Sequence, residues 1–173
     1  DYIQEDCQAI ARIDVSWLGD IGRYETAVPM RRSDSGRAML IYTSGSTGRP
    51  KGIVHTMASF SQGVIRNRHG FRLHEKDVIA ALAPMSFVIL VLEYYGALSC
   101  GGCVHIVAED VRKDVRMIED YFAQNGITCA FISPQILRFF KNKAATLEKI
   151  STGSERVSKL AGDGYDLYNF YGC

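Results

Sequence analysis

The sequence predicts an α/β protein, a mostly parallel sheet layered with helices. Three observations carry this reading: short apolar runs alternate with helix-period segments, breaker residues fall between them, and a loop of glycines and hydroxyls follows the first run. Residues 38–42 read as a strand entering that loop, and 53–55 as the strand or turn leaving it toward a helix around 58–66. Residues 78–82 then read as a strand, 88–98 as a helix and 104–107 as a strand. Over 111–124, Val111, Val115, Ile118 and Phe122 recur at helical spacing, and Asn125-Gly126 supplies a left-handed stop. A buried strand is expected over 128–132, a short helix over 134–141, a strand over 147–151, a short helix over 156–161 and a last strand over 166–171. Residues 1–37 are less regular and end in the turn-rich Arg31-Arg-Ser-Asp-Ser-Gly36, which predicts a peripheral segment ahead of a unit spanning 38–173.

A length of 173 residues, 47% hydrophobic and 23% charged with net charge +1, suits one globular unit and gives no electrostatic reason for a nucleic-acid or membrane partner. The local basic stretch Arg66-Asn-Arg-His-Gly-Phe-Arg72 reads as a solvated loop. The acidic start Asp1-Tyr-Ile-Gln-Glu-Asp6 does not resemble a secretion signal, so a cytoplasmic location is expected. The most apolar run, Phe87-Val-Ile-Leu-Val-Leu92, is followed by Glu93 and is far short of the ~20 residues a bilayer requires. Cys7, Cys100, Cys103, Cys129 and Cys173 are expected to be reduced thiols. Cys100-Gly-Gly-Cys103 follows a helical stretch and precedes a strand, the wrong end for a redox thiol, and His105 alone completes no zinc set. It reads as a helix-to-strand turn, and no metal site is predicted within the chain.

The loop after the first strand is the main functional signal. Gly45, Gly48 and Gly52 let backbone N–H groups converge on an anion, Thr43, Ser44, Ser46 and Thr47 add donors without bulk, and Arg49 and Lys51 add positive charge. The spacing G-x-x-x-x-G-K-[ST], begun at Gly45, would need glycine at 50 and a hydroxyl at 52, where Pro50 and Gly52 stand, so this is a different phosphate loop. The same composition also fits a polar hairpin turn.

As a string, Tyr42-Thr-Ser-Gly-Ser-Thr-Gly-Arg-Pro-Lys-Gly52 resembles the signature of the adenylate-forming (AMP-binding) superfamily, which includes nonribosomal peptide synthetase adenylation domains, acyl-CoA synthetases and luciferases. Three further stretches resemble its motifs in the same order: Ser86-Phe-Val-Ile-Leu-Val-Leu-Glu93, Ile150-Ser-Thr-Gly-Ser-Glu155 and Tyr168-Asn-Phe-Tyr-Gly172. The resemblance implies that the chain is a piece of the large N-terminal domain of that fold, an incomplete adenylation domain without the C-terminal subdomain. It implies that Thr43, Ser44, Gly45, Ser46, Thr47, Gly48, Lys51 and Gly52 hold the phosphates of ATP. Gly153, Ser154 and Glu155 would line the adenine, Asn169 bond its amino group, Tyr171 stack on it and Gly172 complete the motif. Mg²⁺ is implied with ATP, although the Thr-Glu pair that would serve it is not reached by Cys173. No catalytic residue is assigned within the chain.

In amino-acid-activating members the second motif reads Phe-Asp-x-Ser-x-x-Glu, its aspartate holding the α-ammonium. Phe87 and Glu93 match, but Val88 stands at the aspartate's position. A desolvated ammonium needs a paired charge, so the departure implies an acid without a free α-amine; a shifted register or a degenerate domain are the other readings. Carried over by position, the acyl pocket would be Val88, Ile89, Leu92, Phe131, Ile150, Thr152 and Phe170, nearly all apolar, although such residues at strand and helix spacing are also ordinary core. The parent would join a small carboxylic acid to AMP and pass the acyl group to a thiol, the phosphopantetheine of a carrier protein or coenzyme A. The alternatives are a piece of an acyl-CoA synthetase, or an inactive nucleotide-binding or structural fragment.

Overall fold

In the computed structural model, which describes residues 2–8, 36–44, 48–153 and 164–170, the predicted strands and helices assemble into two units, Asp1–Met57 and Ala58–Cys173. The first contains a short helix α1 (Tyr2–Asp6) and a hairpin of β1 (Arg37–Ser44) and β2 (Pro50–Thr56). These strands pair antiparallel, with Tyr42 opposite Gly52 and Thr43 opposite Lys51. They form a two-stranded sheet of their own, antiparallel because so short a connection cannot make the crossover that a parallel pair needs. The Tyr42 hydroxyl donates to Asp6 Oδ2 at 2.6 Å, and this bond to a carboxylate pushes the phenol's pKa up to about 12.

The second unit begins on α2 (Met57–Gly70) and is built on a five-stranded parallel sheet in the order β4-β3-β5-β6-β7. Its strands are β3 (Val78–Ala81), β4 (Cys103–Ile106), β5 (Cys129–Phe131), β6 (Lys149–Gly153) and β7 (Asp166–Phe170), with α3 (Val115–Asn125) and α4 (Pro134–Leu137) between them. Alternation along each strand sends residues to opposite faces. Ala80, Ala130 and Ile150 pack with Ile118 and Phe122 of α3, whereas Ile79, Cys129 and Phe131 pack with Phe71, Leu73, Leu92 and Ala97. The result is the helix-covered α/β sheet that the alternation predicts.

Several boundaries differ from the sequence reading, each for a local reason. The helix expected over 111–124 is broken at Asp114, which is extended at φ −126°, and its carboxylate accepts the N–H groups of Arg116 (2.7 Å) and Met117 (3.4 Å). A 3-10 turn, Val111–Lys113, precedes this N-cap and Gly126 closes α3 at φ 62°. Of the helix expected over 88–98, the segment Val91–Gly96 winds as a π-helix. Strand β6 starts two residues late because Leu147 is buried in the core and Glu148 and Lys149 both direct their N–H groups to Thr128 O. Helix α4 ends at Leu137, shorter than 134–141. The helix expected over 156–161 lies outside the described residues.

The Cys100–Cys103 stretch forms the helix-to-strand turn. Gly101 takes φ +80°, which favours glycine, and a Cβ on Gly102 would lie 3.0 Å from Asp77 O and 3.3 Å from Ala97 O, so close approach requires glycine there. Cys100 and Cys103 are free thiols, and Cys100 Sγ donates to Ala97 O at 3.1 Å.

At the amino ends of the strands lies a buried ionic knot. Lys149 Nζ stands 2.8 Å from both oxygens of Asp77, which also accept from Thr128 Oγ1 at 2.8 Å and from the His74 N–H at 2.9 Å. Thr128 Oγ1 in turn accepts the Val78 N–H at 3.0 Å, so one network ties the starts of β3, β5 and β6. Burial pushes the Asp77 carboxyl up, but Lys149 and the N–H and hydroxyl donors outweigh it and hold its pKa below the usual range.

Candidate functional site

All five strands of the sheet run parallel, so their carboxyl ends share one edge, where ligands bind in open α/β sheets. The motif residues of this unit cluster at that edge. Residues 86–93 follow β3, Phe131 ends β5, Gly153 ends β6 and Asn169 and Phe170 end β7. The Asp77–Lys149 knot occupies the opposite edge. His74, Asp77 and Glu148 bring ligand atoms within 4.8 Å of one another there, but the Asp77 carboxylate is already taken by Lys149.

The register sorts the predicted pocket residues. Leu92, Phe131 and Phe170 meet in one apolar cluster, Phe170 stacking on Phe71 with ring centroids 5.2 Å apart, while Ile150 is buried in the cluster on the other face. Thr152, opposite Asn169, is fully buried, and its Oγ1 finds no hydrogen-bond partner among the described residues. Asn169 is exposed. Val88 is exposed, Ile89 half-buried and Leu92 buried. No single cluster therefore joins all seven.

Gly153 is fixed by its neighbour, since a Cβ there would overlap the Phe170 carbonyl oxygen. In the first unit, Thr43, Ser44, Gly48 and Lys51 are exposed beside the hairpin tip, and Thr43 Oγ1 lies 3.5 Å from Lys51 O. Gly52 is half-buried opposite Tyr42. Gly45, Ser46, Thr47, Ser154, Glu155, Tyr171 and Gly172 lie outside the described residues.

Two groups of chemical interest lie outside the predicted site residues, with Glu93 read only as a motif match. Glu93 is fully buried on the π-helical turn, where its carboxylate accepts N–H groups from Leu82 at 2.9 Å and Ala83 at 3.1 Å. Arg112 Nη1 donates to Leu82 O at 3.3 Å. An acidic residue closing an apolar run was the signal for Glu93, whereas the arrival of Arg112 at Leu82, 30 residues upstream of it, had none.

Burial pushes the Glu93 carboxyl up to about 7, against the two N–H donors and Arg112, which favour the charged form. Its folded pKa thus lies above its ordinary value of 4.5. Between these values the native state holds a proton that the unfolded chain has lost, so this group's contribution to stability falls as pH rises through the window. Glu93→Gln removes the titration. The stability difference between wild type and the variant, from urea unfolding of the chain, is expected to decline by up to about 3 kcal/mol from acid to above neutrality and then level off.

The profile of the family described as AMP-binding enzyme matches residues 5–164. The chain belongs to the AMP-binding enzyme family. Among relatives of this AMP-binding chain, surfactin synthase subunit 2 of Bacillus subtilis (strain 168) is 29% identical over 154 residues, covering 88% of the chain and 4% of that protein. The L-proline--[L-prolyl-carrier protein] ligase of Streptomyces coelicolor is 31% identical over 151 residues, covering 78% of the chain and 28% of the ligase. The chain therefore spans a small part of the relatives it matches.

Solved structures of similar fold include the N-terminal domain of FACL13 from Mycobacterium tuberculosis, with TM-score 0.71 and 20% identity over 87% of this chain and 39% of that one. Another is the N-terminal subdomain of Klebsiella oxytoca NpsA in complex with 3-hydroxyanthranilyl-AMSN, with TM-score 0.69 and 18% identity over 91% of this chain and 43% of that one. The sheet thus shares its fold with the N-terminal domain or subdomain of these two proteins. Among the described residues no helix is long and apolar enough to cross a membrane.

Proposed function

We propose that this chain is part of an adenylation domain in an ATP-dependent ligase that activates a small carboxylic acid lacking a free α-amine. The acyl group would then pass to the phosphopantetheine thiol of a carrier protein, with coenzyme A as the alternative acceptor. Residues 38–173 form the incomplete adenylation unit of this reading, residues 1–37 its periphery, and the cytoplasm its location. The carrying observation is the 86–93 segment. Its single carboxylate, Glu93, is fully buried and bound to two backbone N–H groups, while exposed Val88 occupies the position from which an aspartate would meet an ammonium.

In this reading Thr43, Ser44, Gly45, Ser46, Thr47, Gly48, Lys51 and Gly52 bind the β- and γ-phosphates, so that the substrate carboxylate attacks the α-phosphorus and pyrophosphate leaves. Their work is positioning and charge neutralisation. Gly153, Ser154, Glu155, Asn169, Tyr171 and Gly172 take the adenine. Val88, Ile89, Leu92, Phe131 and Phe170 face the acyl group, with Ile150 and Thr152 behind them. Magnesium would accompany the triphosphate, but His74, Asp77 and Glu148 do not fit it: they lie at the amino edge and their central carboxylate is paired with Lys149. No step is assigned to the metal.

The test is carboxylate-dependent pyrophosphate exchange by the polypeptide carrying the complete adenylation unit, across amino, hydroxy, keto and fatty acids. Exchange with acids lacking an α-amine is expected, and preference for an ordinary α-amino acid would refute the reading of Val88. Val88→Asp is expected to shift kcat/KM toward amino acids by about 10–100-fold, the worth of one charge-assisted hydrogen bond.

A further inference from the structure

The chain leaves the sheet after β3 through a peptide held from both sides. Leu82 O and the Ala83 N–H belong to one peptide unit; Arg112 Nη1 donates to the oxygen at 3.3 Å, and the N–H meets Glu93 Oε1 at 3.1 Å and Oε2 at 3.3 Å. Glu93 Oε1 takes the Leu82 N–H as well, at 2.9 Å. The ladder of β3 with β4 ends at Ala81, so these bonds extend no strand. They fix the base of the loop over residues 82–90. That loop turns through Phe87 N–H to Pro84 O and Leu90 N–H to Phe87 O, 3.0 and 3.1 Å, and it presents Met85, Phe87 and Val88 to the outside. Its far end enters the π-helical turn that carries Glu93, and π-turns recur where a helix must present a particular side chain.

The same carboxylate thus anchors both ends of the loop, one through its hydrogen bonds and the other through its own backbone, whose N–H bonds to Ile89 O at 3.0 Å. Burying it is costly unless it is bonded, and Arg112 supplies the neighbouring charge. Arg112 Nε is itself buried without a hydrogen-bond partner among the described residues; Nη1 bonds Leu82 O, and the guanidinium lies in the field of Glu93 and Glu109. We propose that Glu93 and Arg112 are positioning residues: together they clasp the Leu82–Ala83 peptide and set the loop that carries Val88 and Ile89, and thereby the acyl selectivity of this chain. The selectivity half rests on the adenylation reading above.

The experiment uses Glu93→Ala, Glu93→Gln and Arg112→Met with two readouts. In amide hydrogen exchange, Glu93→Ala is expected to speed exchange across residues 82–90 at least tenfold while residues 129–131 and 149–153 keep their protection; Glu93→Gln, which retains an acceptor oxygen, restores most of it. In pyrophosphate exchange by the polypeptide carrying the complete unit, Glu93→Ala is expected to raise the KM for the acid about 10–100-fold, the effect of misplacing a positioning group, with the KM for ATP within twofold. Unchanged exchange across 82–90 would overturn the clasp, and parallel rises in both KM values would reduce it to a stabilising contact. If Glu93→Ala does not fold, Arg112→Met loosens the same peptide from its half-buried side and is expected to give the same pattern in smaller measure; no change there overturns the proposal equally. A wild-type protein that activates no acid would sink the adenylation reading, and the amide exchange would still decide the clasp.

Discussion

Lys149→Met is expected to cost the chain about 3–5 kcal/mol in urea unfolding, because it leaves the Asp77 carboxylate buried without its cation. Asp77 is wholly buried, and Lys149 contacts both its oxygens at 2.8 Å. In the wild type, Lys149 and the surrounding donors hold the Asp77 pKa below its usual range, so this group's contribution is present above the unfolded-state pKa and is lost as acid protonates the native carboxylate. In Lys149→Met only burial and the Thr128 and His74 donors remain, the folded pKa rises above the unfolded one, and the sign inverts. The variant should therefore gain on the wild type as pH falls from neutrality. Adding Asp77→Leu to Lys149→Met is expected to recover a large part of the loss, since an apolar pair replaces an orphaned charge. A single variant costing less than about 1 kcal/mol would show that the ion pair does not organise the amino edge.

The second large effect is expected at Gly153→Ala. The new methyl would overlap the Phe170 carbonyl oxygen and would sit 3.0 Å from Phe170 Cβ and 3.1 Å from its carbonyl carbon. Two of these atoms are backbone, so relief requires β7 to move against β6. Such movement would also disturb Phe170 where it stacks on Phe71. A loss of about 3 kcal/mol, at the upper end for overpacking, is expected in urea unfolding. Gly126→Ala is the control: nothing lies within 4 Å of its would-be Cβ, so it should cost only about 1 kcal/mol for its positive φ. Equal losses at the two positions would refute the steric account of Gly153.

The alternation of apolar runs and helical periods made the parallel sheet legible, because a strand buried on both faces leaves a continuous apolar run, as in 78–82 and 128–132. The breaks were less legible. Asp114 reads equally as an exposed helical position or as a cap, and only the direction of its carboxylate toward Arg116 and Met117 decides. Of the candidate site, the motif strings were visible and their common carboxyl edge follows from parallel strands. Which pocket residues share a face was not visible by position alone. Strand register puts Ser151 and Gly153 on the side of Phe170, and Ile150 on the other.

What the sequence determined by itself is local or linear: the α/β order, the glycine-hydroxyl loop, and the order of the four motif-like stretches with Val88 in the second. Each is a property of residue type and spacing. The tertiary structure alone decided the Asp77–Lys149 knot, the hydrogen bonds that bring Glu93 and Arg112 to the Leu82–Ala83 peptide, and the faces on which Leu92, Phe131, Ile150 and Phe170 lie. These join groups far apart in the chain, as with Asp77 and Lys149 at a separation of 72 residues, and their energies come from burial and mutual charge, which exist only once the sheet has brought the partners out of water.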